Sequence, residues 1–184
     1  MGCHPRCLVM NFDINSHRRK LIRLRHYDYS QAGAYFITIC VQNRECLFGN
    51  IIDGEMQLND VGRMVQSLWK ELPIFYFGSE IDEFVIMPNH FHAIIILNES
   101  VGAIHESPLR MTAIERRNMA IPKMIGRFKM TTSKRINQIR KTPGATVWQR
   151  NYWERVIRNE IELNAFREYI ANNPLQWHLD KLHP

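Results

Sequence analysis

Two groups of residues have types and spacings suited to chemistry. The first is His90-Phe91-His92. In an extended strand, side chains alternate between faces, so both histidines point one way and Phe91 the other. Two adjacent imidazoles can share a divalent cation. Spacing alone equally accommodates one solvent-facing ring and one hydrogen-bonded ring. The second group is Tyr169 with Asn173. On a helix, positions i and i+4 lie on one face, so a phenol and a carboxamide can converge on one point. Asn173 precedes Pro174, which disfavours helical geometry there and leaves the amide at a frayed end. Taken by itself, Tyr169 reads more simply as a half-buried aromatic beside Phe166 and Ile170.

Cations and aromatic rings form a wider group. The stretch from Ile121 to Arg140 carries Lys123, Arg127, Lys129, Lys134 and Arg135. The N-terminal tract holds Arg18, Arg19, Lys20, Arg23 and Arg25, either as a solvated arm or as a clamp on phosphates. Trp148, Tyr152 and Trp153 can stack on unpaired bases, or serve as core aromatics of a small sheet. Lys and Arg number 24 against 18 Asp and Glu, a net +6 that favours a polyanionic partner such as nucleic acid.

Several classes are excluded or disfavoured. No apolar run reaches the ~20 residues of a membrane helix, and the first residues lack the apolar stretch of a signal peptide. Of the four cysteines, Cys40 sits in an apolar run as a small core residue. Cys3, His4 and Cys7 offer three donors, one short of a structural zinc site. There is no phosphate-binding G-x-x-x-x-G-K-S/T loop. A reduced, cytoplasmic protein is expected.

The elements that must position these residues follow from periodicity. Residues 34–41 read as a strand, with 47–52 as its partner across a turn at Asn43-Arg44. Asp53-Gly54 marks a tight turn before a short piece at 56–58. Asn59 caps a helix with apolar residues at Val61, Met64, Val65, Leu68 and Leu72, ended by Pro73. Residues 83–87 and 91–97 form two strands joined at Pro88-Asn89. Both faces of the second are apolar, since Ile94 and Ile96 follow the histidines and Ile95 and Leu97 follow Phe91. That strand is therefore central. Residues 98–120 read as a long surface loop, and 121–140 as a basic helix with Pro122 in its first turn. Residues 147–156 read as a last strand or strand pair, and 158–173 as a helix stopped by Pro174. The alternation predicts an α+β fold, an antiparallel sheet with helices packed on one face.

The stretch MPNHFHAIIIL, followed far downstream by REYIANNPLQW, resembles the HUH single-strand transposases of bacterial insertion sequences, above all the REP-associated tyrosine transposases. Three further segments match: RLRHYDYSQAGAYFITICVQNRECLFG, GRFKMTTSKRIN and WQRNYWERVIRNEIEL. Together they cover most of residues 23–178. The resemblance implies a ferredoxin-like domain over 33–178, with the histidines on a central strand, a basic extension at 1–32 and a tail at 179–184. It implies that His90 and His92 bind Mg²⁺ or Mn²⁺, that Tyr169 is the nucleophile and that Asn173 is the third ligand. Related enzymes often carry Gln in that last role, one methylene longer. The implied partner is single-stranded or hairpin DNA, contacted by Arg127, Lys129, Lys134, Arg135, Arg19, Arg23, Arg25 and Trp148. The implied protein is a nucleoid-associated monomer or homodimer that cleaves and rejoins DNA beside REP-like hairpins through a 5′-phosphotyrosine. Two other readings use the same residues: a domesticated DNA-binding protein with lost or incidental catalysis, and a replication-initiator or relaxase-type nickase.

Overall fold

A computed structural model describes residues 31–98 and 119–183. Arg19, Arg23 and Arg25, the Cys3-His4-Cys7 group and nearly all of the 98–120 loop lie outside the described residues. The described elements are β1 (Gly33–Cys40), β2 (Gly49–Ile52), β3 (Glu55–Leu58), α1 (Asp60–Lys70), α2 (Leu72–Phe75), β4 (Ser79–Ile86) and β5 (His90–Leu97). There follow α3 (Ala120–Arg140), β6 (Trp153–Ile157), α4 (Glu160–Asn172) and a 3₁₀ segment, Pro174–Leu179.

Four strands form one sheet in the order β4-β5-β1-β6, every adjacent pair antiparallel. The path β1-α1-β4-β5-α3-β6 is the split βαβ arrangement of ferredoxin-like folds. The two crossovers share one hand, which puts α1 and α3 on the same face. That face buries Tyr35, Ile37, Ile39, Phe91 and Ile95 against Trp69 of α1 and Met124 and Phe128 of α3. The opposite face carries Phe36 and Ile94 under Leu163, Phe166 and Ile170 of α4. Helices on one face thus describes α1 and α3 only. The chain leaving β6 turns back, and its apolar α4 residues cover Phe36 and Ile94, which would otherwise meet water.

The expected pairing of residues 34–41 with 47–52 does not occur. β1 is apolar on both faces and takes a central position in the sheet, between β5 and β6. Asn43 and Arg44 adopt left-handed backbone angles, φ 56° and 57°, and send the chain away from the sheet. β2 pairs instead with β3 across the Asp53-Gly54 turn, the nearest partner in sequence. The helix caps follow the sequence. Asn59 accepts from the Gly62 amide at 2.9 Å, and Asn159 accepts from the Glu162 amide at 2.9 Å. No helix among the described residues is long and apolar enough to cross a membrane.

Candidate metal and nucleophile site

The site is built on the sheet face under α4, at the end of β5 where the chain enters. His90 pairs with Cys40 and His92 with Thr38 in the β1–β5 register, so both rings stand on one face. Their centroids are 4.6 Å apart. Both are buried, at 0% and 3% exposure, so each needs a polar partner.

Those partners fix the rings. Asn89 Nδ2 donates to the carbonyls of Leu182 at 2.7 Å and Arg44 at 3.2 Å. With its amide so oriented, Asn89 presents Oδ1 to His90 Nδ1 at 2.8 Å. His90 Nδ1 therefore carries the proton, and Nε2 keeps its lone pair. Nδ1 of His92 meets the Thr38 hydroxyl at 2.8 Å. In both rings one nitrogen is held by a neighbour and the other faces inward, the arrangement that orients metal-ligating histidines.

Around the inward nitrogens lie three more groups. The Tyr169 hydroxyl is 3.4 Å from His92 Nε2. Asp180 Oδ2 is 3.6 Å from His90 Nε2. Ligand-capable atoms of His90, His92 and Asp180 all lie within 4.8 Å of one another. Asn173 is buried, and among the described residues neither its Oδ1 nor the Nε2 of His90 makes a hydrogen bond. Two orphaned lone pairs beside a carboxylate and a second imidazole are a donor set that fits a divalent cation. The group can hold a metal ion.

Electrostatics support neutral rings. Burial, then the neighbouring His92, push His90 well below the ordinary histidine range, against a smaller opposing effect of Asn173. Burial holds His92 down to about 3. Tyr169 is pushed up to about 12 by burial and then by Asp180, with Asn173 acting the other way. Burial raises Asp180, while the Leu182 amide, Arg44 and His183 lower it. At neutral pH the imidazoles are available as ligands, and the phenol holds its proton unless a cation comes near.

The tyrosine reaches the site because α4 is anchored. Arg167 clamps Asp82 of β4 with Nε at 2.8 Å and Nη2 at 3.2 Å. Tyr169 lies two residues on, and its ring meets Phe36 and His92 edge-on at 5.9 and 5.2 Å. The segment from Trp177 onward closes the other side. Arg44 donates to the Lys181 carbonyl at 3.1 Å, and Trp177 lies against His90 with ring centroids 5.9 Å apart.

His90, His92, Tyr169 and Asn173 thus come together. Asp180, Thr38, Asn89 and Arg44 were not singled out from sequence. Thr38 carried a signal, as the one aliphatic hydroxyl in an apolar strand, and so did Asn89, next to His90 in a turn. Asp180 carried none.

The nucleic-acid candidates divide. Arg127, Lys134 and Arg135 are exposed on α3, across the sheet from the histidines. Lys129 Nζ donates instead to the carbonyls of Gln149, Arg150 and Asn151 at 2.6, 3.3 and 3.2 Å, tying down that loop. Trp148 is not available for stacking on bases. It is 4% exposed, packs near Phe48 and Phe128, and donates its indole N–H to Thr132 at 2.8 Å. Its bridge to Val41 draws the ring under the sheet.

No model of a known protein family matches the chain. An uncharacterized protein of Haemophilus influenzae is 43% identical over 181 residues, covering 96% of this chain and 99% of that protein. A second protein of that organism, assigned by inference as a REP-associated tyrosine transposase, is 27% identical over 151 residues, or 81% of this chain and 74% of its own. Among solved structures, a REP-associated tyrosine transposase bound to a REP hairpin shares the fold, with a TM-score of 0.53 and 21% identity over 86% of this chain and 76% of that one. The chain belongs to one family with its 43% identical relative, and it is similar to a REP-associated tyrosine transposase in sequence at 27% identity and to another in fold.

Proposed function

We propose that this protein is a transposase that cleaves and rejoins single-stranded DNA beside hairpins through Tyr169, with a divalent cation held by His90, His92 and Asp180. The carrying observation is the approach of the Tyr169 hydroxyl to His92 Nε2, 3.4 Å. A phenol held this way, beside a set of orphaned donors, suits attack on a phosphodiester.

His90 and His92 offer their inward nitrogens as ligands, and Asn89 and Thr38 hold the rings in register. Asp180 supplies the anionic donor, and Asn173 a neutral oxygen beside it. When bound, the cation withdraws charge from the phosphoryl oxygens and lowers the cost of ionising a nearby oxygen. Imidazole and carboxylate donors suit Mn²⁺ or Mg²⁺ held exchangeably. Tyr169 Oη bonds to phosphorus as the bond from phosphorus to O3′ breaks. The products are a 5′-phosphotyrosine and a 3′-hydroxyl, the phenolic proton ending on the 3′-oxygen. The phosphotyrosine keeps the bond energy, so a second 3′-hydroxyl can reverse the step without a nucleotide triphosphate.

Support for hairpin DNA as substrate comes from the similarity to REP-associated tyrosine transposases, one of which shares the fold and is bound to a REP hairpin. Backbone contacts fall to Arg127, Lys134 and Arg135, with Arg19, Arg23 and Arg25 of the N-terminal tract. All the proposed catalytic groups come from one chain, which suits action as a monomer. The test is a denaturing gel of the full chain with a hairpin-flanked single strand and Mn²⁺. A covalent adduct with the wild type and none with Tyr169→Phe is expected. An adduct of undiminished yield in Tyr169→Phe defeats the proposal.

A further inference from the structure

A second group of exposed residues lies on the sheet's other side. α3 carries Lys123, Arg127, Met130 and Lys134 at i, i+4, i+7 and i+11, one ridge along its outer face. All four are exposed, and α3 contains no acidic residue. Beside the ridge, the turn from α2 to β4 presents Phe75 and Phe77, 53% and 87% exposed. The Arg127 guanidinium lies over the Phe75 ring, 3.8 Å from its centroid. One plane of that cation is thus covered by a ring, and Phe77 is nearly bare.

Gly126 adds an independent observation. It stands in the helix interior, exposed, and a Cβ built there meets nothing within 4 Å. A mid-helix glycine weakens the helix relative to alanine, and no neighbour among the described residues requires it. A residue without a side chain on an exposed basic ridge permits close approach by a partner's backbone.

Exposed rings, a basic ridge without acidic residues and a bare helix position match single-stranded DNA. Its bases stack on aromatic and guanidinium planes, and its phosphates draw cations. An acidic protein would use the cations and leave the rings wet; an apolar partner would bury the cations unpaired. We infer that the α3 ridge with Phe75 and Phe77 is a second DNA contact, which grips an unpaired strand on the sheet face opposite the histidines and Tyr169. It rests on the DNA-processing reading above, and it gives that reading a holding site separate from the cutting site.

The test is anisotropy of labelled oligo-dT on the full chain carrying Tyr169→Phe, so that no covalent product accumulates. Phe75→Ser with Phe77→Ser is expected to weaken binding about fivefold or more per lost stack, the equivalent of roughly 1 kcal/mol each. Gly126→Leu is expected to weaken binding while the melting temperature holds or rises. Unchanged oligo-dT affinity in both variants overturns the inference. So does a change of oligomeric state in light scattering, which would give the face to a second copy of the chain. The two readings fail separately. Adduct formation without any effect of these variants removes only the holding site. Variant-sensitive oligo-dT binding without adduct in the Tyr169 wild type removes only the nuclease.

Discussion

The phenolic oxygen of Tyr169 lies 3.4 Å from Nε2 of His92, across 77 residues of sequence. Neither element makes this contact alone. β5 carries the ring and Thr38 of β1 fixes it, and α4 delivers the phenol because Arg167 grips Asp82.

The third ligand is the first point to check. Asp180 stands among the donors, whereas Asn173 offers only a neutral oxygen. Asp180→Asn is expected to weaken Mn²⁺ binding by at least roughly tenfold, and Asn173→Ala by less. Calorimetric titration of each variant decides it. A larger loss in Asn173→Ala would reverse the order.

Acid should destabilise the metal-free protein. His92 is held down to about 3 in the fold against an ordinary 6.5, and His90 is lowered too. Below pH 6.5 the unfolded chain takes up protons that the fold refuses, so stability falls as pH falls. The slope is at most about 1.4 kcal/mol per pH unit for each histidine, and for His92 it continues to about pH 3. Above pH 6.5 the contribution is complete. Thermal melts in EDTA between pH 8 and pH 5 read this directly, and replacing both histidines by Gln should flatten the slope. A melting temperature that climbs on acidification contradicts the buried neutral pair.

Loosening α4 should slow chemistry more than binding. Arg167→Ala removes the two-pronged grip on Asp82 and frees the helix that carries the phenol. Adduct formation is expected to slow by about ten- to a hundredfold, with hairpin affinity retained. Single-turnover gels beside anisotropy separate the two. Equal rates in wild type and variant would mean that packing alone sets the tyrosine.

Trp148 should behave as core. Trp148→Ala is expected to cost about 3–5 kcal/mol of stability and to leave the salt dependence of DNA binding unaltered. Urea melts and a salt titration check both halves. A stable variant with a shallower slope would return this indole to the DNA path.

The sequence carried the histidine strand clearly. His90 and His92 lie one pleat apart, and the apolar run after them marks a strand buried on both sides. It carried the tyrosine helix less clearly, because Tyr169 reads equally as packing. It did not carry Asp180, since a carboxylate after a helix-breaking proline resembles any surface acid until the chain folds back. Trp148 misled for the converse reason. An indole in a stretch of Trp, Tyr and Arg resembles a base-stacking residue, and only the bridge from Val41 and the bond to Thr132 show where it points. The pairing of β1 departs from adjacency in sequence because both of its faces are apolar, which suits a place between β5 and β6.

The carbonyls of Lys181 and Leu182 are gripped by Arg44 and Asn89, beside Asp180. On the ribosome, every strand and the histidine pair emerge before that acidic residue does. A nascent chain can therefore complete its sheet while its donor set is one short. A premature stop ahead of codon 180 would remove the carboxylate from the pocket together with the carbonyls that hold Arg44 and Asn89.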